Sequence, residues 1–524
     1  MFQAHGGRRE FLADVGRGML AGSLGLAAAA DLGLLPASVA EAGLEPTRLN
    51  FGPREALVDL VQHTPPDQLL PRVVKLLREG TDLKEIVAAT ALANARRFGG
   101  EDYIGFHTFM ALAPAYAMTQ ELPTAHRALP VLKVLYRNAA RIKDAGGPAQ
   151  EVLKAVPAPL PLRPQVAGDK ASQIRDAVHQ QNIALAEQLL QQTTSAEDAW
   201  NDVLQTAQEA TEVHRVVLAH RSWDMLRLVG EEHARTMLRQ SLRYCVKAES
   251  PRVKYYSAVP ALLTRLFDQH KLAGRPRGTK PADVAWISRL SDTLFNSTPE
   301  QAADAVAGAL AEGFAADPIS DAISLTANQL LLRDMGRTSR EAQKDKPVGS
   351  VHGDSIGVHA SDSANAWRQI ALSSNPRNSA ASLILAGYQV AQDRLNRGGQ
   401  FLEWKPRPYA EALEKVSATT PDAILKELDG TIRENNQNLA CALAHRYLEQ
   451  GYSARGLCDI LLSYALSEDG ALHAEKFYRT ATDEYARLPA SLRNRQLVAL
   501  ARVTASCHGY PAPGYAEARK LLET

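Results

Sequence analysis

Cysteine is scarce in this chain, and none of it is spaced as a metal or redox motif requires. The 524 residues contain Cys245, Cys441, Cys458 and Cys507, and no two of them have the CxxC spacing. We therefore interpret all four as small buried apolar residues. A disulfide between two of the last three is the alternative, which an oxidising compartment would permit.

An excess of charge of either sign is also missing. The chain has 59 basic and 58 acidic residues, and its formal net charge is +1. Proteins that bind nucleic acid or an anionic membrane through electrostatics usually present a strongly charged field. We therefore expect no nucleic-acid partner.

Several familiar catalytic and nucleotide-binding motifs are absent from the sequence. It contains no HExxH motif, no ExxH pair of the di-iron carboxylate type, no P-loop and no dinucleotide-binding glycine fingerprint. The segment Gly353-Asp354-Ser355-Ile356-Gly357 has the letters of a GxSxG nucleophile elbow. That elbow needs a strand before the serine, and a polar segment stands there instead, so we do not expect a serine hydrolase.

Runs of alternating β-branched residues, which would indicate strands, are scarce as well. Apolar residues instead recur three and four positions apart, which is the period of an amphipathic helix. This pattern covers residues 69–77, 83–92, 199–229, 231–246, 299–310, 321–332, 379–393, 439–448 and 457–465. The sequence predicts an all-α fold in which helical hairpins pack as one large bundle or array.

Breaks in the helical pattern predict the positions of long loops. Residues 148–167 are rich in proline, residues 334–356 are polar without an apolar face, and residues 397–408 form a shorter break. We expect residues 43–524 to form a single large domain that carries these loops.

Two helical segments also resemble each other. The segments from Gly80 to His107 and from Gly451 to His473 each contain a glycine, an alanine- and leucine-rich helix, a polar break and a histidine. Their glycine-to-histidine spacings are 27 and 22 residues. The likeness is a hint of a weak internal duplication.

The first residues resemble a twin-arginine export signal. Two adjacent arginines begin the segment Arg8-Arg9-Glu10-Phe11-Leu12, and residues 13–35 are a weakly hydrophobic stretch rich in Gly, Ala and Leu. That stretch is too short and too polar for a good membrane anchor. Small residues between Ser38 and Ala42 offer two cleavage sites, so residues 1–42 are predicted to be a signal peptide. The alternative is an ordinary amphipathic helix.

This resemblance implies an address and a partner. The chain would meet the twin-arginine export machinery and work in the periplasm or outside the cell, with no stable membrane span after cleavage. Cargo of this pathway is exported folded, often around a cofactor, so the resemblance also raises the expectation of a bound metal.

Three histidines occupy similar positions in the helical pattern. His107, His359 and His473 each follow an acidic residue and a glycine, and each opens an apolar helix. The glycine would let the backbone turn tightly, and the carboxylate could accept one ring N–H. A helix N-terminus disfavours imidazolium, so neutral rings able to bind a metal are expected. For any one of them, capping or packing is the commoner explanation.

A fourth histidine begins a longer pattern. His214, Trp223, Leu226, Gly230, His233, Ala234, Leu238 and Arg239 fit the frame H-x8-W-x2-L-x3-G-x2-H-A-x3-L-R. This frame resembles one in an uncharacterised family of twin-arginine-exported helical proteins, as do residues 105–111 and 357–366. Arg235 and Thr236 depart from that family's acidic residue and proline.

Helices led by histidines also resemble, more remotely, those of questin oxidase-like proteins. That likeness implies an oxygenase that carries out ring cleavage of the Baeyer–Villiger type. The C-terminal third of the chain has no pattern comparable to the histidine frame of the first family.

Spacing limits which of these histidines can share a site. His214 and His233 are 19 residues apart, which corresponds to about 28 Å along one unbroken helix. They can bind one ion only if Gly230 ends a helix and the chain folds back. His220 lies six residues after His214 and faces partly another direction, so it is left out.

Three hypotheses follow from these observations. In the first, His107, His214, His233, His359 and His473 bind a transition metal, iron above others, or haem, in an oxidoreductase for a small apolar substrate. In the second, the chain is a helical scaffold or binding protein of the cell envelope without catalytic activity. In the third, it is a metal-free enzyme that uses one histidine as a general base. The sequence does not decide whether the protein is an enzyme.

Overall fold

The structure, a computed structural model, describes residues 47–157 and 169–524. The predicted signal peptide, residues 1–42, lies outside the described residues, as does the second half of the predicted connector at 148–167. Residues 47–49 and Lys154–Pro157 form a small unit of their own, with an antiparallel bridge between Arg48 and Lys154. The other described residues form one large unit that contains all the helices.

The all-α prediction is confirmed, because the described part of the chain has helices, short 3-10 turns and isolated bridges but no strand. The first half contains α1 Glu55–His63, α2 Pro66–Arg78, α3 Leu83–Phe98, α4 Tyr103–Met118, α5 Leu129–Asp144, α6 Lys170–His179, α7 Ile183–Gln191, α8 Ala196–Ala207, α9 Val213–Asp224, α10 Leu226–Val229, α11 Ala234–Lys247, α12 Glu249–Tyr255 and α13 Ala258–Gln269. The second half contains α14 Val284–Asn296, α15 Pro299–Ala311, α16 Ala316–Arg333, α17 Ile356–Ser373, α18 Pro376–Leu395, α19 Ala410–Leu413, α20 Pro421–Arg433, α21 Gln437–Glu449, α22 Ala454–Ser467, α23 Ala474–Arg487, α24 Asn494–Cys507 and α25 Tyr515–Glu523.

Four helical hairpins make the framework of the large unit. The pairs α3–α4, α8–α9, α16–α17 and α22–α23 each pack together. The second helix of each hairpin also packs against the second helix of the next, so that α4 contacts α9, α9 contacts α17, α17 contacts α23 and α23 contacts α4. We call this closed arrangement of α4, α9, α17 and α23 the four-helix ring.

Side-chain caps explain where three helices of the ring begin. Asp102, Glu212 and Ser355 precede α4, α9 and α17, and each accepts a hydrogen bond from a backbone N–H of the first turn. Such caps satisfy donors that have no partner inside the helix. The start of α23 differs, because a 3-10 turn, Gly470–Leu472, leads into it.

Two glycines permit close packing within the hairpins. A Cβ atom at Gly357 would lie 2.6 Å from the Cα atom of Leu331 in α16. A Cβ atom at Gly105 would lie 2.7 Å from the ring of Phe98, the last residue of α3. Neither glycine has a positive φ. The expectation that they serve a tight turn is therefore wrong, and their role is to let two helices approach each other.

The predicted loop at 334–356 contains no helix between α16 and α17, yet it is tied down by side chains. Asp354 forms salt bridges with Arg337 at 2.5 Å and with Lys346 at 2.9 Å. The imidazole of His352 lies 2.9 Å from the hydroxyl of Ser506. The loop is thus fastened to α24 and ends at the cap of α17.

The cysteines and tryptophans behave as packing residues. All four cysteines are buried and unpaired. The rings of Trp200 and Trp223 stack with their centroids 5.2 Å apart, and the buried Trp367 donates its indole N–H to Gln389 at 2.8 Å. No helix in the described part of the chain combines the length and the apolar character needed to cross a membrane.

Candidate metal centre

Four of the five predicted histidines come together at one end of the four-helix ring. The ring centroids of His107 and His214 are 4.9 Å apart, those of His214 and His359 are 5.6 Å apart, and His473 lies 5.2 Å from both His359 and His107. Each imidazole therefore contacts two others in a closed circuit. We call these four side chains the histidine cluster.

The positions of the histidines in their helices explain this convergence. His107 is the fifth residue of α4, His214 the second of α9, His359 the fourth of α17, and His473 immediately precedes α23. All four lie in or next to the first turn of their helix. Because the four helices pack in a circuit, their first turns bring the imidazoles together.

The Nδ1 atoms of three rings face hydrogen-bond acceptors. His107 donates to the carbonyl oxygen of Tyr103 at 2.7 Å, and His473 donates to the carbonyl oxygen of Ala471 at 2.8 Å. His214 donates to the Glu212 carboxylate at 2.7 Å. These oxygens can only accept, so the proton of each neutral ring is on Nδ1 and the lone pair is on Nε2.

Two of the four Nε2 atoms lack partners. Those of His107 and His214 are buried and make no hydrogen bond. Those of His359 and His473 are hydrogen-bonded to each other at 3.2 Å. A buried polar atom without a partner costs about 1 to 3 kcal/mol, and its presence at two positions of one cluster asks for an explanation. A cation among the four rings would supply the missing partner.

Burial keeps the imidazoles of His107, His359 and His473 neutral. It is the largest cause that lowers the pKa of His359 to about 3 and takes the pKa values of His107 and His473 well below the usual range. The positive charge of Lys476 lowers all three further. Neutral imidazole is the form that binds metal, so no proton has to be removed near neutral pH.

Within residues 47–157 and 169–524, Glu212 is the carboxylate that hydrogen-bonds to a ring of the histidine cluster. It caps α9, accepts from the Nδ1–H of His214, and also accepts from the hydroxyl of Tyr244 at 2.8 Å. Burial raises its pKa, but these hydrogen bonds and the His214 ring outweigh burial and lower the pKa to about 2. Glu212 is therefore an anion that orients His214 and raises the basicity of its Nε2.

The acidic residues of the other three motifs have different partners. Asp102 caps α4 and accepts two hydrogen bonds from Arg141, Asp354 pairs with Arg337 and Lys346, and Asp469 pairs with Arg137 at 2.6 Å. Backbone carbonyls hold the rings of His107 and His473 instead. The expected carboxylate partner is thus found for His214 alone.

The turn before His473 has an unusual backbone. Ala471 and Leu472 have φ values of 48° and 70°, a conformation that costs free energy for residues other than glycine. The turn is anchored by the buried Lys133, whose ammonium donates to the carbonyl oxygens of Ala465 and Glu468. This anchoring holds the Ala471 carbonyl where it accepts from His473.

His233 is not part of the histidine cluster. Its ring packs edge-on against Phe51 with the centroids 5.7 Å apart, and its Nε2 lies 3.8 Å from Glu232. The chain does fold back at Gly230, whose φ is 99°, and α11 packs against α9. However, His214 is at the start of α9 and His233 at the start of α11, and the starts of two antiparallel helices are at opposite ends.

The surroundings of the cluster are aromatic on one side and apolar on the other. Tyr103, which is 50% exposed, and Phe106 contact the rings of His107 and His214. A small cavity of about 20 Å³ adjoins His473 and is lined mainly by apolar side chains, among them Phe477 and Val358. A side chain such as Tyr103 therefore separates the cluster from solvent.

Sequence reasoning missed two charged residues near the cluster. Lys476 and Asp362 are buried and lie three residues, or one helical turn, after His473 and His359. Burial lowers the pKa of Lys476 to about 7, while the attraction of Asp362 opposes that shift. In the sequence, these two residues could have been found as charged side chains one helical turn after His473 and His359.

A second group of metal-ligand types lies elsewhere in the described residues. Ligand atoms of His179, Glu209 and Glu249 are all within 4.8 Å of one another, closer than those of the histidine cluster. Arg252, however, occupies both oxygens of Glu249 at 2.8 and 2.6 Å. A guanidinium already pairs with Glu249 and the His179 ring with Glu209, whereas two rings of the histidine cluster have Nε2 atoms without a partner.

The wider spacing of the imidazoles has a consequence for metal binding. Metal–nitrogen bonds are about 2 Å long, so one ion can bind all four rings only if they move inwards.

Comparison of the chain with known protein families, curated proteins and solved structures found no match. The arguments for function therefore come from the chain itself.

Proposed function

We propose that His107, His214, His359 and His473 bind one transition-metal ion, and that the protein is a metal-dependent oxidoreductase. The observation that carries this proposal is the pair of buried Nε2 atoms of His107 and His214 that have no hydrogen-bond partner, in contact with the rings of His359 and His473 from two further helices. Core histidines usually have both nitrogens satisfied or exposed. Rings held through Nδ1 with Nε2 left over are instead typical of metal ligands.

The chemistry of the cluster favours an ion that accepts imidazole. Nitrogen ligands suit zinc, copper, iron and nickel, and iron remains the metal that we propose for an oxidation. An ion held by fewer than four of the rings would keep an open position for oxygen or substrate. Haem is disfavoured, because a porphyrin would have to fit between rings whose centroids are 4.9 to 5.6 Å apart.

The chain's own residues define the remaining features of the proposed site. Glu212 orients His214 and supplies one negative charge, which partly offsets the charge of a divalent ion. Tyr103 and Phe106 present aromatic surface beside the rings, which suits a small apolar substrate. Tyr103 is half exposed, so we propose that substrate enters past it.

The proposed place of action rests on residues 1–42 alone. The Arg8-Arg9 motif favours export of the folded, metal-loaded protein through the twin-arginine pathway to the periplasm or beyond.

Metal analysis of the full chain, purified from the exported fraction without a histidine tag, tests the proposal. We expect close to one equivalent of a transition metal, and loss of that metal in the double variant His359→Ala/His473→Ala. His445→Ala is the matched control. His445 is partly exposed on α21, outside the four-helix ring, and its Nε2 lies 3.8 Å from Glu449 of the same helix.

Two results would overturn the metal proposal. One is a wild-type protein with less than about a tenth of an equivalent of metal that also fails to bind added iron, zinc or copper. The other is a metal content that the double variant leaves unchanged. Protein that is metal-free and loses only stability when the histidines are replaced would support the helical scaffold instead.

A further inference from the structure

The four-helix ring has a second polar site at the end opposite the histidine cluster. A cavity of about 170 Å³ lies between the C-terminal halves of α4, α9, α17 and α23. Its surface is predominantly polar, with arginines at 221, 227, 479 and 487 and aspartates at 224 and 483. We call it the arginine cavity.

The aspartates do not neutralise the arginine cavity. Asp224 pairs with both Arg221 at 3.3 Å and Arg227 at 2.9 Å, so one carboxylate serves two guanidinium groups. Asp483 pairs with Arg479 at 2.7 Å. The fourth arginine, Arg487, is exposed and makes no salt bridge or hydrogen bond with the described residues. His220 adds no charge, because burial lowers its pKa to about 3.

Arg221 is the most informative residue of the cavity. Its side chain is 7% exposed, and its Nε atom is fully buried without a hydrogen-bond partner. A buried N–H of a guanidinium without an acceptor is costly, more so than one on a neutral group. Arg221 also lines the cavity, so its guanidinium is among the donors available to an anion bound there.

We propose that the arginine cavity binds a small oxyanion, of the class of inorganic phosphate or the carboxylate of a small organic acid. Guanidinium groups recognise such anions through paired, charge-assisted hydrogen bonds. The cavity, at about 170 Å³, is smaller than the roughly 300 Å³ at which sites for drug-sized ligands begin, and its volume suits a small anion.

The position of the cavity sets it apart from the histidine cluster. Helices α9 and α23 each carry a histidine of the cluster at the start and an arginine of the cavity near the end. The oxyanion site uses none of the proposed metal ligands. Its test can therefore be done on metal-free protein, and its failure would leave the metal proposal untouched.

Isothermal titration of metal-free protein with inorganic phosphate, and separately with succinate, tests this site at low ionic strength. We expect saturable binding of one anion per chain, and affinity at least tenfold weaker in Arg227→Glu/Arg487→Glu. Both residues are exposed, so the variant should fold. Arg72→Glu/Lys75→Glu, at exposed positions of α2 outside the cavity, makes the same charge change and should bind as the wild type does.

Titration with both anions shows whether the site prefers phosphate or a carboxylate. Binding of phosphate alone, of succinate alone or of both supports an oxyanion site. Arg221→Gln should also weaken anion binding. This variant is a stricter test, because it keeps a polar side chain but removes the buried guanidinium. Absence of saturable binding of either anion to the wild type would overturn the proposal. Binding that Arg227→Glu/Arg487→Glu leaves unchanged would overturn it as well.

Discussion

The two ends of the four-helix ring differ in how their buried polar groups are satisfied. At the end where the helices begin, backbone and Glu212 oxygens accept hydrogen bonds from the Nδ1–H groups of His107, His214 and His473. At the other end, the arginine cavity has permanent cations that aspartates neutralise only in part. The histidine end thus has unused acceptors, and the arginine end has unused donors.

The helix dipole accounts for part of this difference. Backbone N–H groups at a helix start carry partial positive charge and disfavour a protonated ring, whereas the carbonyl groups at a helix end favour cations. The same four helices therefore offer lone pairs at one end and N–H donors at the other. The lone pairs let the first end bind a cation and the N–H donors let the second bind an anion, although the helix dipoles oppose both ligand charges.

Removal of metal should have the largest effect and should separate the two ends. Dialysis against a strong chelator is expected to lower the free energy of unfolding by about 4 kcal/mol, which corresponds to metal present at a thousand times its Kd. Differential scanning calorimetry before and after chelation measures this loss. Phosphate should still bind afterwards, and a chelator that left the melting temperature unchanged would contradict a bound metal.

Gly357→Ala should have the next largest effect, because its Cβ would lie 2.6 Å from the Leu331 backbone. We expect a loss of about 1 to 3 kcal/mol in the free energy of unfolding and weaker metal binding, since α17 must move away from α16. Denaturant titration measures the loss. Gly430→Ala is the control, because a Cβ there meets nothing within 4 Å and should stabilise α20 by up to about 1 kcal/mol.

Glu212→Gln should weaken the histidine end while leaving the fold intact. The amide oxygen can still accept from the backbone at the start of α9, but the charged acceptor for the Nδ1–H of His214 is lost. Loss of such a carboxylate typically weakens metal affinity by about 10- to 100-fold. A competition titration with a metal-binding dye measures it, and unchanged affinity would show that Glu212 does not tune His214.

The pH dependence of stability should show the smallest effect per group. The pKa of His359 is about 3 in the folded protein and about 6.5 when unfolded, so below pH 6.5 the unfolded chain binds more protons. Stability of the metal-free protein should therefore fall as the pH decreases from about 6.5 towards 3. His359→Gln should reduce that slope by up to about 1.4 kcal/mol per pH unit.

Urea titrations between pH 5 and 7 compare His359→Gln with the wild type. His445→Gln, at a partly exposed position of α21, is the control for the substitution itself. A slope that is equal in His359→Gln and the wild type would mean that His359 is not held neutral by burial.

The helices and the histidines at their starts could be predicted because both depend on local patterns. A period of three and four residues indicates a helix, and a capping residue such as Asp102 or Ser355 marks where it begins. Each histidine's place near a helix start is equally local. The twin-arginine signal is also a local pattern, and it stays a prediction because residues 1–42 lie outside the described part.

Other features of the site depend on contacts between residues far apart in the chain. The backbone carbonyl that holds His473 belongs to a strained turn, which Lys133 anchors from a distance of more than three hundred residues. The exclusion of His233 depends on the antiparallel course of α9 and α11. The arginine cavity combines α9 with α23 and carries no motif of its own.

The sequence by itself determined the secondary structure, because helical periodicity, caps and proline positions act over a few residues. It also placed four histidines at helix starts. The tertiary structure alone decided that α4, α9, α17 and α23 pack in a circuit, since that depends on which apolar faces and glycines fit together. That circuit turned four separate imidazoles into one cluster and set the arginine cavity at the opposite end.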